Sequence, residues 1–181
     1  MPDWSATARR IRVPLGFGFA ALYLWLAQPT WQSVLIGGLV SVPGLWLRAW
    51  ASGHVTKATE ITTTGPYAYT RNPLYLGSLI VATGFGIAAR SPWLAAAMLV
   101  MLLAIYLPVI RWEEAYLRRN FPEFEDYAQR VPRLLPRLHP ATEARREFSR
   151  ELYLRHREYN ALLGTLAMLA ALAIKLQGFS R

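Results

Sequence analysis

Cysteine is absent from the 181 residues, which removes disulfides, thiolate nucleophiles and every cysteine-bearing metal centre from consideration. Charge is scarce as well: 17% of residues are charged, against 54% hydrophobic and 13% aromatic. The scarcity is uneven. Residues 13–47, 72–89, 91–110 and 159–174 carry no charged side chain. A run of about 18 or more such residues spans a bilayer core as a helix, and only helices or closed barrels satisfy their backbone there. Histidine is sparse too. His54 has no second histidine near it in the chain, and His139 and His156 lie in different contexts, so no metal site is expected. No Ser-His-Asp constellation appears. Gly16-Phe17-Gly18 falls inside an apolar run, the wrong place for a phosphate-cradling loop. Asp3, with no small-residue cleavage site after the first apolar run, argues against a cleaved signal peptide.

The charges that are present are sorted. The net charge is +9. Arg9, Arg10 and Arg12, then Arg48, Lys57 and Arg71, then eleven arginines from Arg111 to Arg157 fall on alternate sides of the apolar runs. Arg90 alone marks the second opposite loop, and the first has no charge. This is the positive-inside pattern of a polytopic membrane protein, not a nucleic-acid-binding surface. Residues 111–158 also hold nine carboxylates, so the arginine-rich stretch is no polycation. The expectation is an all-α, multipass integral membrane bundle of about five transmembrane helices. It forms a single domain over residues 1–181, with the amino terminus, residues 48–71 and residues 111–158 on the cytoplasmic side.

In order, the expected spans are residues 13–27, 31–50, 73–89, 92–110 and 161–176. Gln28-Pro29-Thr30 reads as a tight outer turn, Pro43 as a bend in the second helix, and Gly37-Gly38 as a candidate for close helix contact. Thr62-Thr63-Thr64 suggests an extended entry into Gly65-Pro66, and Asn72-Pro73 the start of the third helix. Residues 111–137 read as a charged helical stretch broken at Phe121-Pro122, with Phe124, Tyr127 and Val131 at helical spacing. Proline makes residues 130–136 extended. A polar amphipathic helix is expected from Pro140 to Arg157, since Glu143, Glu147 and Glu151 recur every fourth residue. It and the fifth span together make up residues 140–177, and Lys175 is placed to snorkel.

Two stretches carry chemistry. GPYAYTRNPLYLG, residues 65–77, packs Tyr67, Tyr69, Tyr75 and Arg71 between two proline turns at the mouth of a membrane helix. Arg111-Trp112-Glu113-Glu114 ends the next apolar run. Ionisable groups at these depths are paired or functional. Adjacent residues on a helix lie about 100° apart, so one glutamate faces a pocket while the other pairs with Arg118 or Arg111. A carboxylate beside aromatic faces suits an organic cation.

The stretch SGHVTKATEITTTGPYAYTRNPLYLG, followed by WEEAYLRRNFPEFEDYAQRVPRLLP, resembles the isoprenylcysteine carboxyl methyltransferase family and its relatives, the phospholipid N-methyltransferases. The resemblance covers about Leu47 to Arg137. It rests on an Arg-x-Pro-x-Tyr turn, a Glu-Glu pair and an Arg-Val-Pro tail. It implies a membrane enzyme moving a methyl group from S-adenosylmethionine to a lipophilic acceptor that enters from the bilayer. It implies cofactor binding by Lys57, Thr59, Ile61, Thr62, Tyr67, Asn72, Pro73, Leu74, Tyr75 and Glu113. Arg71, Arg111 and Glu114 are the candidate catalytic groups.

Two positions depart from the family pattern. Asn72 replaces a histidine but keeps a donor and an acceptor. Val109 stands where the family has an acceptor-binding arginine, which leaves Arg111 as the nearest candidate. Both carboxylate O-methylation and lipid amine N-methylation stay open, the latter giving Glu114 a base role. An NADPH-dependent reductase of the sterol type and a non-catalytic protein keeping the fold are the alternatives.

Overall fold

The computed structural model describes residues 16–56, 60–144 and 146–179. The amino-terminal arginines, Asp3, Lys57, Thr59 and Arg145 lie outside the described residues. Regular structure among the described residues is helical throughout: α1 (Gly16–Leu26), α2 (Trp31–Ser52), a 3-10 turn (Gly65–Ala68), α3 (Pro73–Ala89), α4 (Pro92–Asn120), α5 (Phe124–Arg130), α6 (Arg150–Arg155) and α7 (Tyr159–Phe179). Three of these, α2, α4 and α7, are long and apolar enough to cross a membrane, and α1 and α3 are shorter apolar helices. The protein is an integral membrane helix bundle.

Helix ends follow local chemistry. Thr30 and Ser33 form a reciprocal capping box at the start of α2, with each side chain accepting from the other's backbone N–H at 3.2 and 2.9 Å. Ser91 caps α4 through Leu94 N at 3.3 Å, and Pro73 and Pro92 occupy first-turn positions that lack an N–H partner in any case. Helix α2 runs unbroken through Pro43, and α4 through Pro108. Lys175 does more than snorkel. Its ammonium donates to the Leu24, Trp25 and Ala27 carbonyls at 2.6, 2.9 and 2.7 Å, closing the C-terminal end of α1 with a cation.

Packing of α2 on α3 is backbone to backbone. A Cβ at Gly37 would sit 2.3 Å from the Gly84 carbonyl oxygen, and one at Gly84 would sit 2.4 Å from that of Gly37. Small residues thus draw the two axes together without any hydrophobic driving force. Of the Gly37-Gly38 pair it is Gly37 that makes this approach; Gly38 faces Leu169 of α7. At the end of the bundle where α1 meets α2, Tyr23 is buried with its hydroxyl donating to the Phe85 carbonyl at 2.8 Å, in a cluster with Ala27, Ala88, Leu94 and Leu172. A second cluster, Phe124, Tyr127 and Val131 against Ile61, Leu117 and Phe121, lies at the opposite end.

One expected element is far shorter than its sequence suggests. Among the described residues between Pro140 and Arg157, only Arg150–Arg155 is helical, capped by Ser149. The preceding residues are spent on other partners: Ala141 N donates to Ala68 O at 2.9 Å and Ser149 N to Gly53 O at 2.9 Å. A glutamate every fourth residue describes a helix only when the backbone has no better acceptor.

Candidate active site

At the end of α2 the chain turns on glycine. Gly65 has φ +60°, and a Cβ there would meet the His54 ring at 2.5 Å, so both its conformation and its neighbour require glycine. His54 is buried, with Nδ1 2.8 Å from Trp50 O and Nε2 3.0 Å from Arg146 O. His156, distant in the chain, brings its Nδ1 to 3.0 Å from Ser52 O, so two histidines meet the end of α2. The threonines 62–64 are non-helical, and Thr64 is extended as expected.

The turn then acquires a second chain lying along it. Arg71 N donates to Pro132 O at 2.9 Å, Thr70 Oγ1 to Leu134 O at 3.0 Å, Asn72 Nδ2 to Arg133 O at 2.8 Å, and Arg137 N to Tyr69 O at 3.0 Å. The proline-rich tail is therefore extended because the 69–72 backbone and side chains serve as its partners. Tyr127 Oη adds a bond to Tyr67 O at 2.8 Å from beneath.

The two glutamates part as adjacent helical residues must. Glu113 meets Tyr75, whose hydroxyl lies 3.2 Å from both carboxylate oxygens. Glu114 is buried between Arg71, at 3.3 Å, and Arg133, at 2.7 Å. That corrects the expected pairing of Glu114 with Arg118 or Arg111: its partners are Arg71 and Arg133, Arg118 bonds Glu125 at 2.8 Å instead, and Arg111 is exposed on α4. Hydrogen bonding to Glu114 raises the Arg133 guanidinium above its ordinary value. Tyr67 is buried, and its phenol is pushed well up by burial first, then by Tyr127 and the nearby charge of Glu113. The Tyr75 ring packs on Tyr106, centroids 4.8 Å apart.

Of the residues singled out from sequence, Tyr67, Asn72, Tyr75, Glu113, Glu114 and Arg71 converge. Pro73 and Leu74 form the first turn of α3 beside them. Ile61 packs on the Phe124 cluster, and Thr62 Oγ1 accepts from Thr56 N at 3.1 Å, closing the preceding loop. Tyr69 turns away to Trp50, 6.4 Å between centroids. Missed altogether were Arg133, Tyr106 and Arg48. Arg48 sits near the end of an apolar helix beside no other charge in the chain, a signal that a buried partner waits elsewhere; Tyr106 gave none.

The cluster suits an organic cation that also carries an acid. Glu113 supplies negative charge, and Tyr75 and Tyr106 supply ring faces. Arg71 is 12% exposed; its Nη1 lies 3.3 Å from Glu114, while its Nε has no hydrogen-bond acceptor among the described residues.

Among characterised proteins, the chain is 39% identical over 115 residues to the nickel-cobalt-cadmium resistance protein NccN of Alcaligenes xylosoxydans xylosoxydans, covering 63% of this chain and 53% of that one. It is 35% identical over 142 residues to the cobalt-zinc-cadmium resistance protein CzcN of Cupriavidus metallidurans, covering 75% and 62%. It is also 35% identical over 118 residues to protein-S-isoprenylcysteine O-methyltransferase B of Arabidopsis thaliana, covering 62% and 60%. The chain thus spans less than two thirds of the length of these relatives. No solved structure matches it. The phospholipid methyltransferase family matches residues 31–123, from the start of α2 through the glutamate pair to the turn before α5. That region takes in more than half the chain and every contact between the tyrosine turn and the two acids, and the chain belongs to the phospholipid methyltransferase family.

Proposed function

We propose that the protein is a membrane methyltransferase that uses S-adenosylmethionine and a lipophilic acceptor, with its site at the cytoplasmic face. The observation that carries this reading is the Tyr75–Glu113 pair, seated against Tyr106 and one residue from the Glu114–Arg71 ion pair. When bound, the cofactor supplies a methyl group on a positively charged sulfur. Glu113 offsets positive charge, the Tyr75 and Tyr106 rings face the cationic centre, and Arg71 is placed to hold a carboxylate. Asn72, Pro73, Leu74 and Tyr67 form the floor under them. Ile61 and Thr62 belong to the loop that would wall the site, and Lys57 and Thr59 are cofactor-binding candidates on the family resemblance.

Glu114 is assigned a positioning role here. Its carboxylate is committed to two guanidiniums, one of which, Arg133, anchors the extended tail on the turn. Orientation follows the arginine distribution, with the glutamate end of the bundle facing the positively charged side. The named relatives that confer metal resistance raise a metal role, but among the described residues no three His, Asp or Glu gather where an ion could be held. Neither the family match nor these relatives support the reductase alternative.

Titration calorimetry with S-adenosylmethionine and its demethylated product tests cofactor binding. Incubating membranes with methyl-labelled cofactor then shows which lipid fraction gains label. Heat with either nucleoside and label in a lipid support the reading; no heat with either, alongside clear heat with NADPH, overturns it.

A further inference from the structure

The segment after the extended tail lies outside residues 31–123, yet it docks on the helix that leads into the site. Ser149 N donates to Gly53 O at 2.9 Å, and His156 Nδ1 lies 3.0 Å from Ser52 O. Arg48 stands one helical turn before Ser52, on the same face of α2. There its Nε meets the Glu158 carboxylate at 2.6 Å. Arg157, in the left-handed region at φ +53°, turns the chain just before this contact. The two side chains are 23% and 11% exposed, so this is a mostly buried ion pair between α2 and the start of α7.

The pair adjoins the proposed active site. Through Nη1, Arg48 also donates to Ser78 and, at 3.1 Å, to the carbonyl of Leu74, the residue before Tyr75. Arg48 and Tyr106 line the same cleft, and Tyr106 packs on Tyr75, whose hydroxyl bonds Glu113. The Tyr67 phenol, raised above all by burial, also feels the charges of Glu113 and Glu158. Both carboxylates therefore act across the same small region, and the Arg48 cation lies against one of them. Unit charges about 10 Å apart in a partly buried site still shift a binding equilibrium by on the order of tenfold.

We infer that Glu158 is a positioning residue of the site: it takes up the Arg48 charge, so that Glu113 and not a guanidinium sets the field met by the cofactor's cation. The role rests on the methyltransferase reading. Its physical content is a sum of charges. Arginine stays protonated at any working pH, so without Glu158 an added positive charge would stand behind Tyr75 and oppose a sulfonium. Held by Glu158, the guanidinium is spent on the first turn of α3, where its bond to Leu74 O steadies the residue next to Tyr75. The preference of the site for a cation is thus set partly by a residue beyond the segment the family matches.

The competing account makes the pair a staple joining α2, α3 and α7, with no say in what the site binds. S-adenosylmethionine and its demethylated product separate the two, because they differ by one methyl group and one positive charge. Calorimetry on the full chain in detergent at about pH 8.5, where carboxylates are ionised, gives both affinities, and their ratio is the readout. Losing a staple weakens both ligands alike and leaves the ratio where it was. Glu158→Gln keeps the size of the side chain and should move the ratio against the sulfonium by about tenfold. Arg48→Gln creates the opposite imbalance and should move the ratio the other way; this variant decides the matter should Glu158→Gln fail to fold. With both substitutions the charges balance again, and the ratio should return to within about twofold of wild type. A ratio unmoved by either single substitution overturns the role of Glu158 and leaves the methyltransferase reading standing. A wild-type protein that binds neither nucleoside overturns that reading, and the role of Glu158 with it.

Discussion

The Tyr75 hydroxyl sits 3.2 Å from both oxygens of the Glu113 carboxylate, so one proton is shared between two acceptors across the α3–α4 interface. The same ring is braced by Tyr106. The pair thus fixes the direction of a carboxylate and of an aromatic face together. Tyr75→Phe keeps the face and loses the bond, and a hydrogen bond to a charged group is worth about 1.5–3 kcal/mol. Calorimetry should show affinity for the demethylated cofactor falling by about tenfold or more. Glu113→Gln should cost at least as much, and the double variant less than the sum of the two, because the two groups share one interaction.

Glu114 should behave differently from its neighbour. It is 4% exposed and holds Arg71, itself mostly buried, together with Arg133. Removing it leaves a buried cation without its carboxylate, a loss of about 3–5 kcal/mol. Glu114→Ala is expected to lower the thermal unfolding midpoint in detergent sharply and to expose the 131–137 tail to protease. A variant that unfolds like the wild type while losing only the limb of a pH–rate profile would make Glu114 a base instead.

How much of this was legible beforehand follows from which interactions are local. Gaps in charge located the helices, because a bilayer tolerates no other backbone there. The meeting of Tyr75 with Glu113 followed from the motif turn and the glutamates lying at facing ends of consecutive helices. The partner of Glu114 was not legible. Arg133 returns only because residues 131–137 lie along residues 69–72, a pairing made of backbone bonds that leave no mark on composition. The helix expected over 140–157 failed for the same reason, since its N–H groups found Ala68 and Gly53. Arg48 and Glu158 bond from α2 to the turn before α7, and nothing in either stretch names the other.

The α2–α3 contact offers a structural control unrelated to ligand. A Cβ at Gly84 would lie 2.2 Å from Ser41 Oγ and 2.4 Å from Gly37 O, and a backbone carbonyl cannot step aside. Gly84→Val should destabilise the bundle by about 3 kcal/mol or more and reduce the yield of monodisperse protein in size-exclusion chromatography. Gly164→Val, at a position with open space, should leave both unchanged.

Alkaline pH supplies the last test, through two buried phenols at the turn. Tyr67 and Tyr127 are both buried, and burial is the main cause that pushes each above the ordinary value of 10.0. In the unfolded chain both ionise from about pH 10 upward, whereas the folded protein keeps its protons. The unfolded state therefore binds fewer protons than the folded state above that point, so stability is level below about pH 10 and falls as pH rises past it. Tyr127→Phe removes one of the two phenols along with its 2.8 Å bond to Tyr67 O. It should lower stability at neutral pH by about 1 kcal/mol and flatten the alkaline decline. Denaturant midpoints measured from pH 7 to pH 11 on the two proteins give both effects. A decline equally steep in both would place the alkaline sensitivity outside this pair.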